Sequence, residues 1–187
     1  MAEVRESDRI AGVYRVEPTV HGDERGLFVE TYRREWIPGA REMIQSNRSN
    51  KQAGALVGLH YHLHQSDYWY APVGTIRVVL HDLREGGPTD GATESFEISG
   101  DDHHGVYIPP GVAHGFGALT DAVLTYLVDN YYNPADELGV AWDDPDVGAD
   151  WGLVDRGLDP VMSERDRVNP RRVDLPANRR PYWPMRT

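Results

Sequence analysis

Apolar and polar positions alternate along much of the first two-thirds of the chain, with the two-residue period of half-buried strands. TIRVVLHDL (75–83) is the cleanest case. Ile76, Val78 and Leu80 fall on one face, and Arg77, Val79 and His81 on the other. IAGVYRVEPTV and GLFVETY carry similar alternation with β-branched and aromatic residues, interrupted by HGDERG. Glycine and proline punctuate the pattern at Pro72, Gly74, Gly86-Gly87-Pro88, Gly91, Gly100, Gly105 and Pro109-Pro110-Gly111. Short strands between such turns predict an all-β barrel or sandwich. YRREWIPGAREMI predicts a short helix before or around Pro38. After Tyr132 an Asp/Pro/Gly-rich region predicts loops with short helical turns. No internal repeat or low-complexity tract interrupts the chain. A linker is possible near 152–162, but the segment beyond it is too short to fold alone. The expectation is one domain over 1–187, with the segment from about 152 to 187 packing on the barrel.

At 187 residues the chain suits one domain with a real core. It contains no cysteine, which excludes disulfides, thiolate metal sites and cysteine nucleophiles, and fits a cytoplasmic protein. The N-terminal MAEVRESDRI is charged and lacks an apolar segment, so no signal peptide is expected. No apolar run approaches the ~20 residues that cross a bilayer, so no membrane partner is expected. A net charge of -11 argues against a nucleic-acid partner held by a broad basic face. The charge is uneven: acids crowd 129–159 and arginines return from Arg165 onward. Solvated surface is the simplest reading, with the two patches free to face each other in a dimer.

Candidate chemistry concentrates in GLHYHLHQSDYWYAPVG (58–74). On a continuous strand His60, His62 and His64 would share one face. Further on, IPPGVAHGFGAL places His114 after a proline–glycine turn. Together the stretches resemble the two signatures of the cupin superfamily. The first is matched by Gly54, His60, His62, Asp67 and Gly74, with Asp where glutamate is usual. The second is matched by Pro109, Gly111 and His114. The resemblance implies a cupin double-stranded β-helix (jelly-roll) barrel with short peripheral helices, these side chains pointing into its mouth. His60, His62, Asp67 and His114 would suit a transition metal. Alternatively, barrel-lining histidines hydrogen-bond each other and a substrate. For the five tryptophans, core or interface packing is the expectation, and His21, His81, His103 and His104 read as surface or structural.

Six ordered stretches give a closer likeness. They are HGDERGLFVETY, QSNRSN, GLH, IPPGVAHGF, DNYYNPADELGVAWDDPDVGADW and MSERDR, spanning roughly residues 10 to 170. They resemble the dTDP-4-dehydrorhamnose 3,5-epimerases and related nucleotide-sugar epimerases. The resemblance implies that His60 is the general base beside a sugar ketone, Asp166 its paired carboxylate, and Tyr126 the acid on the other face. It places His114 and Tyr132 at the sugar, and His62, as a neighbour of His60, is expected to contact substrate too. It places Arg25, Phe28, Glu30, Gln45 and Asn47 at the nucleotide and diphosphate. It also implies a homodimer, a nucleotide-sugar substrate that leans towards dTDP, and no cofactor. The chemistry is sensible: inverting a carbon next to a ketone needs a base on one face, an acid on the other and a stabilised enolate. Imidazole titrates at roughly 6.5 and phenol at roughly 10.

The chain also departs from that pattern. Val57 stands where an arginine contacts diphosphate. The loop after His60 is about three residues shorter, and Asp67 aligns with a lysine expected near the sugar's carbonyl oxygen. His62 is unusual there too. These departures admit two further readings. One is a metal-dependent cupin, an oxygenase or isomerase, built on His60, His62, Asp67 and His114. The other is a non-catalytic cupin that only binds a sugar nucleotide. Retention of His60, Asp166 and Tyr126 favours the epimerase, with His60 a base rather than a ligand.

Overall fold

The computed structural model describes residues 2–185. Its strands are β1 (Glu3–Glu6), β2 (Tyr14–Glu17), β3 (Val20–Asp23), β4 (Gly26–Val29), β5 (Gln45–Lys51), β6 (Leu56–Tyr61), β7 (Asp67–Val73), β8 (Thr75–Asp82), β9 (Thr93–Ser99), β10 (Gly105–Ile108), β11 (Val112–Ala118), β12 (Ala122–Val128) and β13 (Leu138–Gly139). One sheet runs β1-β2-β10-β7-β12-β5 and the other β13-β6-β11-β8-β9, every pairing antiparallel. The β3–β4 hairpin stands apart as a two-stranded ribbon. The only α-helix among the described residues is α1 (Glu164–Arg167). This is the jelly-roll architecture expected from the histidine stretches. No helix of the described residues is long and apolar enough to cross a membrane.

The principal core lies between the sheets, where Ile76, Val78 and Leu80 of β8 meet Trp69, Ile108, Phe116 and Leu124. The opposite face of β8 is buried too. Val79 joins Leu59, Tyr61, Trp151, Leu153 and Leu175 in a second cluster, so the chain after β13 covers the outside of the five-stranded sheet. His81 on that face is structural. Its Nδ1 lies 2.8 Å from the Thr93 hydroxyl and its Nε2 3.2 Å from Arg172. Burial, then the Arg172 charge, push its pKa down to about 4, so it is neutral at physiological pH. A third cluster, with Val16, Ile37, Tyr68 and Tyr107, seals the outside of the six-stranded sheet.

The helix expected around Pro38 is only a 3-10 turn over Arg34–Trp36. Ile37 is already extended, with φ -104° and ψ 112°, because the proline ring disfavours helical geometry in the residue before it.

Candidate active site

A cavity of about 500 Å³ opens between the sheets. Alternation supplies its walls. Gln45, Asn47, Ser49 and Lys51 of β5 all line it, while Ser46, Arg48 and Asn50 face out. Tyr126 on β12 pairs with Asn47 on one side and Trp69 of β7 on the other. These three side chains form a row across the six-stranded wall. Opposite them, β6 and β11 present Val57, His60, His114 and Phe116.

An irregularity in β6 sets the His60 position. His114 pairs with His60 and Phe116 with Val57, so Gly58 and Leu59 together face Gly115 alone. On an unbulged strand Val57 and His60, three residues apart, would point to opposite faces. Only glycine fits at 58. Its φ is +114°, and a Cβ there would stand 2.7 Å from the Gly115 Cα.

His60 Nε2 lies 2.6 Å from Asp166 Oδ1. The carboxylate can only accept, so Nε2 carries the proton and Nδ1 presents a lone pair. That Nδ1 stands 3.9 Å from Glu137 Oε1. Asp166 sits in α1, where its amide donates to the Ser163 hydroxyl at the helix start. Burial alone would raise the Asp166 pKa, but hydrogen bonds from His60 and Ser163 and the His60 charge outweigh it and hold it low. The carboxylate is therefore ionised beside the imidazole. Tyr126 shifts the other way. Burial first, then the Asp67 and Glu137 charges, raise its pKa, so the phenol keeps its proton at neutral pH.

The row of three histidines breaks after the second. β6 ends at Tyr61, where the Asp136 carboxylate captures the amides of Leu63 and His64 at 2.7 and 3.1 Å. His62 still turns inward and is buried; His64 is exposed, and its carbonyl accepts from Arg41 and Asn130. His60, His62 and His64 thus do not share a face. The four-ligand set also divides. His62, Asp67 and His114 have ligand atoms within 4.8 Å of one another, whereas His60 is turned to Asp166. The three fit a divalent ion in donor chemistry: two imidazole nitrogens and one carboxylate oxygen. Burial drives the His114 pKa down to about 4, opposed by the Asp67 charge.

Of the other expected residues, Gln45, Asn47 and Tyr132 line the cavity. Gln45 Nε2 donates to Asn47 Oδ1 at 2.9 Å, and the Tyr132 amide donates to Gln45 Oε1 at 3.3 Å. Arg25, Phe28 and Glu30 do not line it. They belong to the β3–β4 hairpin and the residue just beyond it, where Arg25 binds Asp23 and Glu30 binds Arg33. The hairpin exposes apolar surface, with Leu27 59% and Phe28 65% accessible. Sequence reasoning passed over Gln65, Glu137, Arg165 and Lys51, which also line the cavity. Glu137 lies in NPADELG and Arg165 in SERDR, so both were within reach in the matching stretches. Trp69, assigned to the core, is also wall: its indole N–H donates to Asp67 Oδ2 at 3.1 Å.

Comparison with known proteins identifies the family. The family model for dTDP-4-dehydrorhamnose 3,5-epimerase matches residues 7–173. The dTDP-4-dehydrorhamnose 3,5-epimerase of Mycobacterium tuberculosis is 36% identical, over 94% of this chain and 90% of that protein. The dTDP-6-deoxy-D-glucose-3,5-epimerase of Legionella pneumophila, solved in complex with dTDP-4-keto-L-rhamnose, superposes with a TM-score of 0.91 at 29% identity, covering 98% of this chain and 99% of that one. A 3'-monoepimerase of Streptomyces bikiniensis, in complex with dTDP-quinovose, superposes with a TM-score of 0.87 at 31% identity, covering 96% and 93%. The chain belongs to the dTDP-4-dehydrorhamnose 3,5-epimerase family, and its class of chemistry is isomerisation.

Proposed function

We propose that this protein inverts C3, C5 or both in a dTDP-linked 4-keto-6-deoxysugar. The observation that carries the reading is the placement of base and acid on opposite walls. His60 projects from the five-stranded sheet and Tyr126 from the six-stranded sheet, into one cavity. A sugar ring between them meets a base on one face and a proton donor on the other, as inversion requires.

His60 Nδ1 takes the proton from the carbon next to the ketone. Asp166 holds Nε2–H and stabilises the imidazolium that results. The electron pair moves into an enolate, and the Tyr126 phenol returns a proton to the opposite face. His60 then loses its proton to solvent and Tyr126 regains one. The step consumes no electrons and needs no redox partner. Each turnover therefore brings a solvent hydrogen into the sugar. Gln45, Asn47 and Tyr132 line the same cavity.

Two features shape the reading further. Val57 faces the cavity where an arginine would meet the diphosphate, so this chain grips phosphate less directly. Arg25, Phe28 and Glu30 lie away from their own cavity, and the apolar hairpin that carries two of them is exposed. A second copy bringing this hairpin to the neighbouring cavity would complete the nucleotide site and cover Leu27 and Phe28. The active species is then a homodimer.

The test is incubation with dTDP-4-keto-6-deoxyglucose in deuterium oxide, with the sugar followed by NMR. Deuterium at C3 or C5 with appearance of the epimer supports the reading. Saturable binding of the nucleotide sugar with no exchange would establish a binding-only protein instead.

A further inference from the structure

His62 and His114 each commit Nδ1 to a backbone carbonyl. His62 Nδ1 lies 2.9 Å from Asp136 O, and His114 Nδ1 3.0 Å from Val112 O. A carbonyl only accepts, so each Nδ1 carries the ring proton and each Nε2 is a bare lone pair. Both lone pairs point towards one carboxylate. His62 Nε2 stands 3.9 Å from Asp67 Oδ1, and His114 Nε2 3.8 Å from Asp67 Oδ2. Neither distance is a hydrogen bond. The carboxylate is itself held, by Trp69 Nε1 at 3.1 Å and Gln65 Nε2 at 2.9 Å. The Gln65 amide also reaches His62 Nε2 at 3.2 Å. Three electron-pair donors thus converge in a buried place, with one neutral amide between two of them.

The same cluster forms a wall of the cavity in which enolate charge would develop. A bare carboxylate there would repel an enolate. The cations lining the cavity are Lys51 and Arg165. Arg165 is engaged by Glu137, with its guanidinium 3.6 Å from the Glu137 carboxylate. Lys51 pairs with Ala122, whereas Asp67 pairs with Val128 at the other end of β12. At ~3.3 Å per residue those two ends are roughly 20 Å apart.

We infer that His62, Asp67 and His114, without His60, form a three-ligand site for a divalent transition metal on the sugar-facing wall. Two imidazoles and one carboxylate select zinc, manganese, iron, cobalt or nickel over magnesium or calcium. Ligands ~2.1 Å from a tetrahedral metal stand about 3.4 Å apart, so the ligand atoms, which lie within 4.8 Å of one another, draw together on binding as Gln65 turns away. Trp69 and the two backbone carbonyls then act as orienting partners. When bound, the ion supplies Lewis-acid stabilisation of negative charge on a substrate oxygen. Binding does not depend on the epimerase reading; only what the ion does there rests on it. Because the ligand set omits His60, the site coexists with a His60 base.

The experiment uses the full chain, freed of metal by chelator and titrated with cobalt(II). One cobalt per chain, with visible absorption bands, is expected. Asp67→Asn should weaken binding at least about 100-fold, because losing even an orienting partner costs 10–100-fold. His60→Asn should bind as the wild type does. Proton NMR of the cobalt-loaded wild type should show two shifted exchangeable ring N–H signals, one each from His62 and His114, a readout that needs no variant. Absence of stoichiometric cobalt, binding that survives Asp67→Asn, or three shifted ring signals would overturn the proposal. Deuterium exchange without metal binding would sink the site and spare the epimerase. Metal binding without exchange would do the reverse.

Discussion

Replacing Asp166 by asparagine removes one charge from the His60 pair at nearly constant volume. The wild-type contact is 2.6 Å, between side chains 17% and 5% exposed, so solvent screens it weakly. Charge centres ~4 Å apart at an effective dielectric of ~20 attract by about 4 kcal/mol. That attraction appears only when His60 has taken the substrate proton, so it lowers the barrier rather than tightening binding. At about 1.4 kcal/mol per tenfold, its loss slows proton abstraction roughly 10³-fold. Asparagine can also donate to Nε2, which would move the ring proton to Nδ1 and silence the base. Asp166 does not line the cavity, so affinity for dTDP should change little. The assay pairs the rate of solvent deuterium entry at C3 and C5 with calorimetric dTDP binding. Exchange within tenfold of wild type, in a folded variant, would refute the base assignment.

Tyr126→Phe should retain deuterium exchange on the His60 face while epimer formation falls by about 10²-fold, the scale of one general acid; loss of both together would place Tyr126 elsewhere in the reaction. Gly58→Ala should lower the melting temperature, since its Cβ would meet the Gly115 Cα at 2.7 Å and such overpacking costs typically 1–3 kcal/mol; an unchanged melting temperature would show that β6 relaxes freely. His81 is buried neutral with its pKa near 4, so the unfolded chain binds its proton first, and stability present above ~6.5 is lost as pH falls towards 4. His81→Gln should flatten the stability–pH curve in that window, as read by urea unfolding. Phe28→Glu should shift sedimentation towards the monomer and weaken dTDP binding, if the β3–β4 hairpin serves a second copy.

The architecture was legible where the two-residue period was clean. β8 falls where TIRVVLHDL alternates, and Gly74 stands immediately before it. That both of its faces are buried was not legible, because the cover for Val79 arrives some 70 residues later from Trp151 and Leu153. The His60–Asp166 pair joins residues 106 apart, and only the ordered motifs brought them together. His64 was misplaced because period reasoning assumes a continuing strand, while Asp136 ends β6 by a side-chain contact no local pattern announces. The spacing of His60, His62, Asp67 and His114 could not show which imidazole turns away. Nδ1 contacts to backbone carbonyls decide that for His62 and His114, and Asp166 decides it for His60.

The decisive comparison sets wild type against His60→Ala in deuterium oxide, on dTDP-4-keto-6-deoxyglucose. With His60 as the base, the wild type takes up deuterium at C3, C5 or both. A His60→Ala variant that still binds dTDP takes up none above the non-enzymatic rate. Continued exchange in that variant would contradict the assignment, because another group in the cavity would then be the base.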